Sequence, residues 1–195
     1  MKIFNGIPRF VQTFEKPVAI AIGMFDGVHI GHVHLIEMMK NCKTKIIFTF
    51  INHPIEVVNP RIIIKSITSL ECKLKLLEQL GIDLCIIKQF DEEIENTPYT
   101  LFIEELHNKI QFDHIFFGEF AAIGKNREGS EENIKKLGLK MNFTPHYIKK
   151  IYFNGTKVSS TNIRKLLADG DLKTAKKLLG LHSSQSVWHE GQSNG

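Results

Sequence analysis

Cysteine is scarce in this 195-residue chain: Cys42, Cys72 and Cys85 are odd in number, far apart and form no CxxC pair. That spacing argues against a zinc knuckle or a disulfide scaffold and suits a reducing compartment, so the chain is expected in the cytoplasm. The opening residues, MKIFNGIPRF, carry a lysine but no apolar stretch of the kind a secretory leader needs. No apolar run approaches the ~20 residues that cross a bilayer, so no membrane partner is expected. Charge of one sign is concentrated nowhere. The formal net charge is +4, with lysines interspersed among acids, as in KLKLLEQLG and SEENIKKLG. Such segments read as solvated helix faces rather than a nucleic-acid tract. A mild positive bias does suit small anions such as nucleotides. There is no internal repeat.

What is present is ordinary for a folded protein: 43% hydrophobic and 24% charged residues, in a length that suits one domain, or one plus a short appendage. Short β-branched runs recur as expected strands: VAIAIG (18–23), KIIFTFI (45–51), DLCIIKQF (83–90) and DHIFFG (113–118). Helical patterns separate them. Residues 31–42 present Leu35, Ile36 and Met39 on one face, and 69–80 carry Leu70, Leu74, Leu77 and Leu80 before a stop at Gly81. Thr97 reads as an N-cap with Pro98 at the first helical position of YTLFIEELHNKI. Apolar strands alternating with helices imply a doubly wound α/β fold whose parallel sheet is covered on both faces. Ligands of such sheets bind at the carboxyl ends of the strands, where loops 23–32 and 118–130 would gather. Beyond residue 140, NFTPHYI and KIYFNGTKVS suggest two further strands, the second pinched at Asn154-Gly155. Two short helices follow, stopped by Gly170 and Gly180. The last fifteen residues, 181–195, are polar and are expected to be disordered or a linker.

Two motifs carry chemistry. GMFDGVHIGH (23–32) places glycines between an expected strand and an expected helix, a setting in which backbone N–H groups meet phosphate oxygens. Its spacing is neither GxGxxG nor GxxxxGK[ST], so dinucleotide binding of the Rossmann kind and a Walker loop are poorly supported. What remains is His29-x-Gly31-His32, two imidazoles able to face one anion, with Gly31 permitting close backbone approach. A metal cluster that adds His34 is disfavoured, because zinc sites usually add a cysteine or carboxylate. VSSTNIR (158–164) offers Ser159, Ser160 and Thr161 at a helix start, with Arg164 a turn later. Read alone, this is an ordinary Ser/Thr cap; together the groups form a second anion cradle, as a triphosphate spanned by two loops requires.

Gly23-x-Phe25-Asp26-Gly27-x-His29-x-Gly31-His32, followed late by Ser159-Ser160-Thr161-x-Ile163-Arg164, resembles the HxGH and ISSTxxR signatures of the nucleotidyltransferase superfamily. Within it, the chain is similar to the FMN adenylyltransferase module of prokaryotic FAD synthetases. TFINHPIEVV (49–58) resembles that family's TFxPHPxEVL stretch, and LADGDLKTAKKLLG resembles the end of its module. The resemblance implies a Rossmann-like, mostly parallel sheet of the HxGH type over residues 1–180, and AMP transfer from ATP to FMN with Mg²⁺. It implies His29, His32 and Arg164 as catalytic residues. ATP would be held by Gly23, Met24, Phe25, Asp26, Gly31, Ser159, Ser160 and Thr161. Phe50, His53, Pro54, Glu119 and Phe120 are expected at the flavin, although core packing is an equal reading of Phe50. The family's flap, G-x-[DN]-F-x-F-G, reads GEFAAIG here, so Phe120, Ala121 and Ile123 replace an Asp/Asn and two aromatics unless a shifted register lets Glu119 and Phe120 serve. Residues 181–195 are too few for the riboflavin kinase barrel that follows the module in bifunctional relatives, so a polar tail is expected there instead. No metal ligands and no protein partners are identified. Adenylyl or cytidylyl transfer to another phosphorylated small molecule, or nucleotide and flavin binding without turnover, are the competing readings.

Overall fold

The computed structural model describes residues 1–9 and 11–180; the tail expected at 181–195 lies outside the described residues. Six strands form one sheet: β1 (Lys2–Asn5), β2 (Val18–Ile22), β3 (Thr44–Phe50), β4 (Leu84–Lys88), β5 (His114–Gly118) and β6 (Thr144–Ile148). Their spatial order is β1-β4-β3-β2-β5-β6, and every neighbouring pair is parallel. All of Val18–Ile22 is buried, which explains why this strand reads as an unbroken apolar run rather than an alternating one. The alternation is still present in three dimensions. Val18 and Ile20 pack on one side with Phe48, Ile86, Phe102, Ile103 and Ile134, whereas Ala19 and Ala21 pack on the other with Leu35, Ile36, Leu76 and Leu77.

The covering helices are α1 (Ile30–Met38), α2 (Pro54–Val58), α3 (Leu70–Gln79), α4 (Glu92–Asn96), α5 (Tyr99–Ile110), α6 (Glu131–Met141), α7 (Ser160–Ala168) and α8 (Leu172–Leu178). Helix α3 buries Leu76 and Leu77, with Leu70, Leu74 and Leu80 only partly covered; it also buries Lys73. One cap differs from expectation. Thr97 ends α4, its hydroxyl donating to the Glu93 carbonyl at 2.6 Å, and Pro98 occupies the cap position of α5 without a side-chain hydrogen bond. The expected strand over KIYFNGTKVS is instead a separate hairpin of β7 (Tyr152–Phe153) and β8 (Thr156–Lys157). Asn154 and Gly155 both have positive φ there, 47° and 76°, the backbone such a two-residue turn demands.

The order of strands locates the site. From β2 the chain steps outward through β3 to β4, then returns to the opposite side of β2 to lay down β5 and β6. The direction reverses between β2 and β5, and the crevice beyond their carboxyl ends is where open α/β sheets bind ligands. Gly23 follows β2 and Glu119 follows β5 at that crevice.

Candidate active site

After Gly23 the chain turns through left-handed backbone at Phe25 (φ 50°), Gly27 (φ 78°) and Val28 (φ 37°). Positive φ at a β-branched valine is strained and persists only where surrounding contacts enforce it. The turn delivers His29 as N-cap of α1, and its Nδ1 accepts the His32 backbone N–H at 3.3 Å. An accepting Nδ1 places the proton of the neutral ring on Nε2, leaving that N–H as the donor. The two imidazoles stack, with centroids 3.7 Å apart and planes 10° from parallel, and the Phe25 ring leans on His32 at 4.9 Å. Gly31 is what permits this. A Cβ there would stand 3.1 Å from the His29 ring. His34 is outside the stack, its Nδ1 3.9 Å from the Glu37 carboxylate.

Asp26 binds the two motifs together. Its buried carboxylate accepts the Ile67 N–H (2.9 Å) and Thr68 N–H (3.3 Å), and its Oδ2 takes an Arg164 guanidinium N–H at 2.7 Å. Arg164 also donates to the Lys65 carbonyl at 3.0 Å. The Ser160 hydroxyl donates to the Asp26 carbonyl at 2.9 Å, and Ser159 caps α7 by accepting the Asn162 N–H. Residues 65–69, absent from the sequence expectations, are thus part of the site: the Thr68 hydroxyl oxygen also accepts the Gly27 N–H at 3.2 Å. The small cluster of Val158, Ile163, Leu178 and Leu179 supports the turn from outside, with Leu179 3.1 Å from the place of a Cβ on Gly27.

These elements enclose a cleft of about 360 Å³. Gly23, Met24, Phe25, Asp26, His29, Gly31 and His32 form one wall, and Ser159, Ser160, Thr161 and Arg164 another. His53, Glu119, Ala121, Lys149 and Lys150 also line it. Of the expected flavin residues, His53 and Glu119 are therefore at the cleft. Phe50 is not: it is 9% exposed and packs edge-on against Phe48 and Phe90. Pro54 opens α2 behind the His53 cap. Phe120 has left the cleft altogether. It sits at φ 61° and 73% exposed, with the Lys150 ammonium 4.5 Å from its ring centroid. Ile123 packs against the core, Ala121 touches both core and cleft, and Gly124 is held so tightly that a Cβ would fall 2.4 Å from the Tyr99 nitrogen.

The geometry has recognisable relatives. The sequence profile described as FAD synthetase matches residues 11–162. The chain belongs to the FAD synthetase family. It is 32% identical over 187 residues to a bifunctional riboflavin kinase/FMN adenylyltransferase of Buchnera aphidicola subsp. Schizaphis graminum, an alignment covering 92% of this chain and 60% of that protein. The corresponding Escherichia coli K12 protein is 29% identical, with 92% and 59% covered. The chain therefore spans about 60% of the length of these curated relatives. Among solved structures, a macrolide-efflux protein from Streptococcus pneumoniae has the same fold, with a TM-score of 0.79, 20% identity, and 91% of this chain and 59% of that one covered. A pantoate-beta-alanine ligase from Francisella tularensis also shares it, at TM-score 0.61 and 18% identity, covering 92% and 78%.

In this member of the FAD synthetase family burial favours the uncharged forms of His29 and His32. Burial, the largest influence, lowers the His29 pKa to about 4 against the opposing pull of its backbone hydrogen bond and Asp26. His32 is lowered well below its ordinary value by burial, then by His29 and Lys73, and its Nδ1 has no hydrogen-bond partner among the described residues. The pair can thus donate hydrogen bonds without carrying fixed charge. Positive charge at the cleft comes from Arg164, Lys149 and Lys150. Two carboxylates line it. Asp26 is consumed by Arg164 and backbone N–H groups, and Glu119 accepts the Lys150 N–H at 3.3 Å. Among the described residues no three His, Cys, Asp or Glu side chains converge as a metal set. No helix among the described residues is long and apolar enough to cross a membrane.

Proposed function

We propose that the chain transfers AMP from ATP to the phosphate of FMN, releasing FAD and pyrophosphate. The observation that carries this reading is the stacked His29–His32 pair at the sheet's reversal point, facing the start of α7 and Arg164 across one cleft. A phosphate oxygen of FMN attacks the α-phosphorus, a new P–O bond forms, and the bond from the α-phosphorus to the bridging oxygen breaks. Pyrophosphate leaves with that electron pair. No protein nucleophile is required, so catalysis reduces to alignment and charge stabilisation. His29 donates through Nε2–H, and His32 stands beside it as second donor toward the α-phosphate. Ser159, Thr161 and Arg164 gather the departing β- and γ-phosphates at the α7 N-terminus, where Ser160, its hydroxyl engaged by the Asp26 carbonyl, offers its backbone N–H. Mg²⁺ would arrive on the triphosphate. The proposal concerns the adenylyltransferase part of the relatives' bifunctional name.

One observation favours a second acceptor over FMN: the flap brings Ala121, not an aromatic ring, to the cleft, and Phe120 faces outward. Product chromatography after incubation with ATP, Mg²⁺ and, in turn, FMN, nicotinamide mononucleotide, phosphopantetheine and glycerol phosphate tests both. FAD is expected as the dominant product. An adenylylated product formed faster from another acceptor would replace FMN in the scheme, and no product from any acceptor would leave a binding protein.

A further inference from the structure

Lys73 is a lysine in the interior. It is 5% exposed, and among the described residues no carboxylate lies within ion-pair distance of it. Its ammonium donates to three oxygens: the Met24 carbonyl at 3.2 Å, the Thr49 hydroxyl at 3.1 Å and the Phe50 carbonyl at 3.0 Å. Thr49 in turn donates to the same Met24 carbonyl at 3.0 Å. All three ammonium protons are therefore used within the protein, which defines what Lys73 holds. Met24 begins the loop that leads into the histidine turn, and Phe50 ends β3 just before the His53 loop. From α3, one side chain reaches the ends of the two central strands whose loops form the cleft.

Burying an ammonium is costly unless its hydrogen bonds are made, and neutral donors could satisfy two carbonyls more cheaply. The cation is thus a poor choice for packing alone and a good one for fixing two loops while placing positive charge beneath them. Four elements surround it: α3, the ends of β2 and β3, and β4. Burial lowers the Lys73 pKa, against the opposing pull of Cys85 on β4 and of Asp26 in the loop after β2. Cys85 is itself pushed up to about 12 by burial, and His32 on α1 is disfavoured as a cation by burial first, then by His29 and Lys73.

We propose that Lys73 is a positioning residue of this site, tying the histidine turn to the His53 loop and so aligning the two substrates that these loops contact. The activity readout rests on the adenylyl-transfer reading; the structural readouts do not. In Lys73→Met, kcat should fall by about 10- to 100-fold, the scale of a small misalignment of reacting groups. ATP affinity should change less than kcat. Ring resonances of His32 followed by NMR should titrate at higher pH than in the unaltered protein, and the Met24 methyl resonance should shift. Lys73→Arg keeps the charge but not the three-way geometry, so the ring titration should stay low while kcat recovers only in part. A folded Lys73→Met with unchanged kcat overturns the proposal, whatever the titration does. If Lys73→Met does not fold, a fully active Lys73→Arg or Lys73→Gln overturns it equally. Should the unaltered protein make no FAD, it is the functional reading that fails, and an unmoved ring titration with an unmoved Met24 methyl is then what overturns Lys73's role.

Discussion

Two uncharged imidazoles with centroids 3.7 Å apart would be an unusual way to meet the triphosphate of the proposed reaction, and the explanation lies in how each is held. His29 spends Nδ1 on the helix cap, so its remaining N–H has one direction; His32 is fixed between that ring and Phe25. Removing either donor should cost transition-state stabilisation rather than fold. His29→Ala and His32→Ala are each expected to lower adenylyl transfer by about 100-fold, the usual scale for one lost transition-state donor, while circular dichroism stays unchanged. Near-normal turnover in the double variant would make both histidines structural. The buried neutral state also has a thermodynamic consequence. The folded His29 pKa near 4 lies below the ordinary 6.5, so between these values the unfolded chain binds more protons. Stability from this residue is present above pH 6.5 and lost as pH falls toward 4, by about 3 kcal/mol in all. Urea unfolding at pH 7 and pH 4.5 should show this loss, and His29→Gln should show a smaller one. An equal loss in the variant would assign the acid sensitivity elsewhere.

The flap and the 65–69 segment show what a sequence reveals of an element and what it hides. Strands β2 to β5 are legible because parallel strands buried on both faces leave continuous β-branched runs, and the histidine turn because its glycines interrupt one. Strand β1 is mostly exposed, α2 and α4 are five residues each, and none carries a hydrophobic period long enough to register. Thr68, just before a helical stretch, and Lys73, within it, look like ordinary polar residues; only the fold brings them to Gly27 and Met24. Phe50 illustrates the reverse. Its place near a flavin-like motif suggests a wall, and its edge-on contacts with Phe48 and Phe90 place it in the core. For the flap, residue order alone leaves the register open, whereas in three dimensions Ala121 faces the cleft and Phe120 does not. Combining Phe120→Asn, which suits the left-handed backbone at 120, with Ala121→Phe should therefore add ring surface where an acceptor binds. A gain of about 1 kcal/mol is expected, tightening FMN roughly fivefold with little change for ATP. An unchanged FMN affinity by titration calorimetry would mean that the acceptor does not reach this wall.

At the scale of the whole molecule, the reversal of strand order between β2 and β5 opens the crevice, and distant segments of the chain converge on it. Asp26 and Arg164, 138 residues apart in sequence, meet at 2.7 Å, so the early and late motifs form one unit. Removing one partner of such a buried pair typically costs about 3–5 kcal/mol, which makes the junction structural as well as chemical. The proposed adenylyl transfer rests on one central claim: the bond broken in ATP lies between the α- and β-phosphates. Positional labelling tests that claim most directly. With ATP labelled separately at the α- and γ-phosphates, together with FMN and Mg²⁺, the α-label should appear in FAD and the γ-label in pyrophosphate, in equal amounts. A γ-label recovered on the acceptor or as orthophosphate, with ADP as the other product, would contradict it.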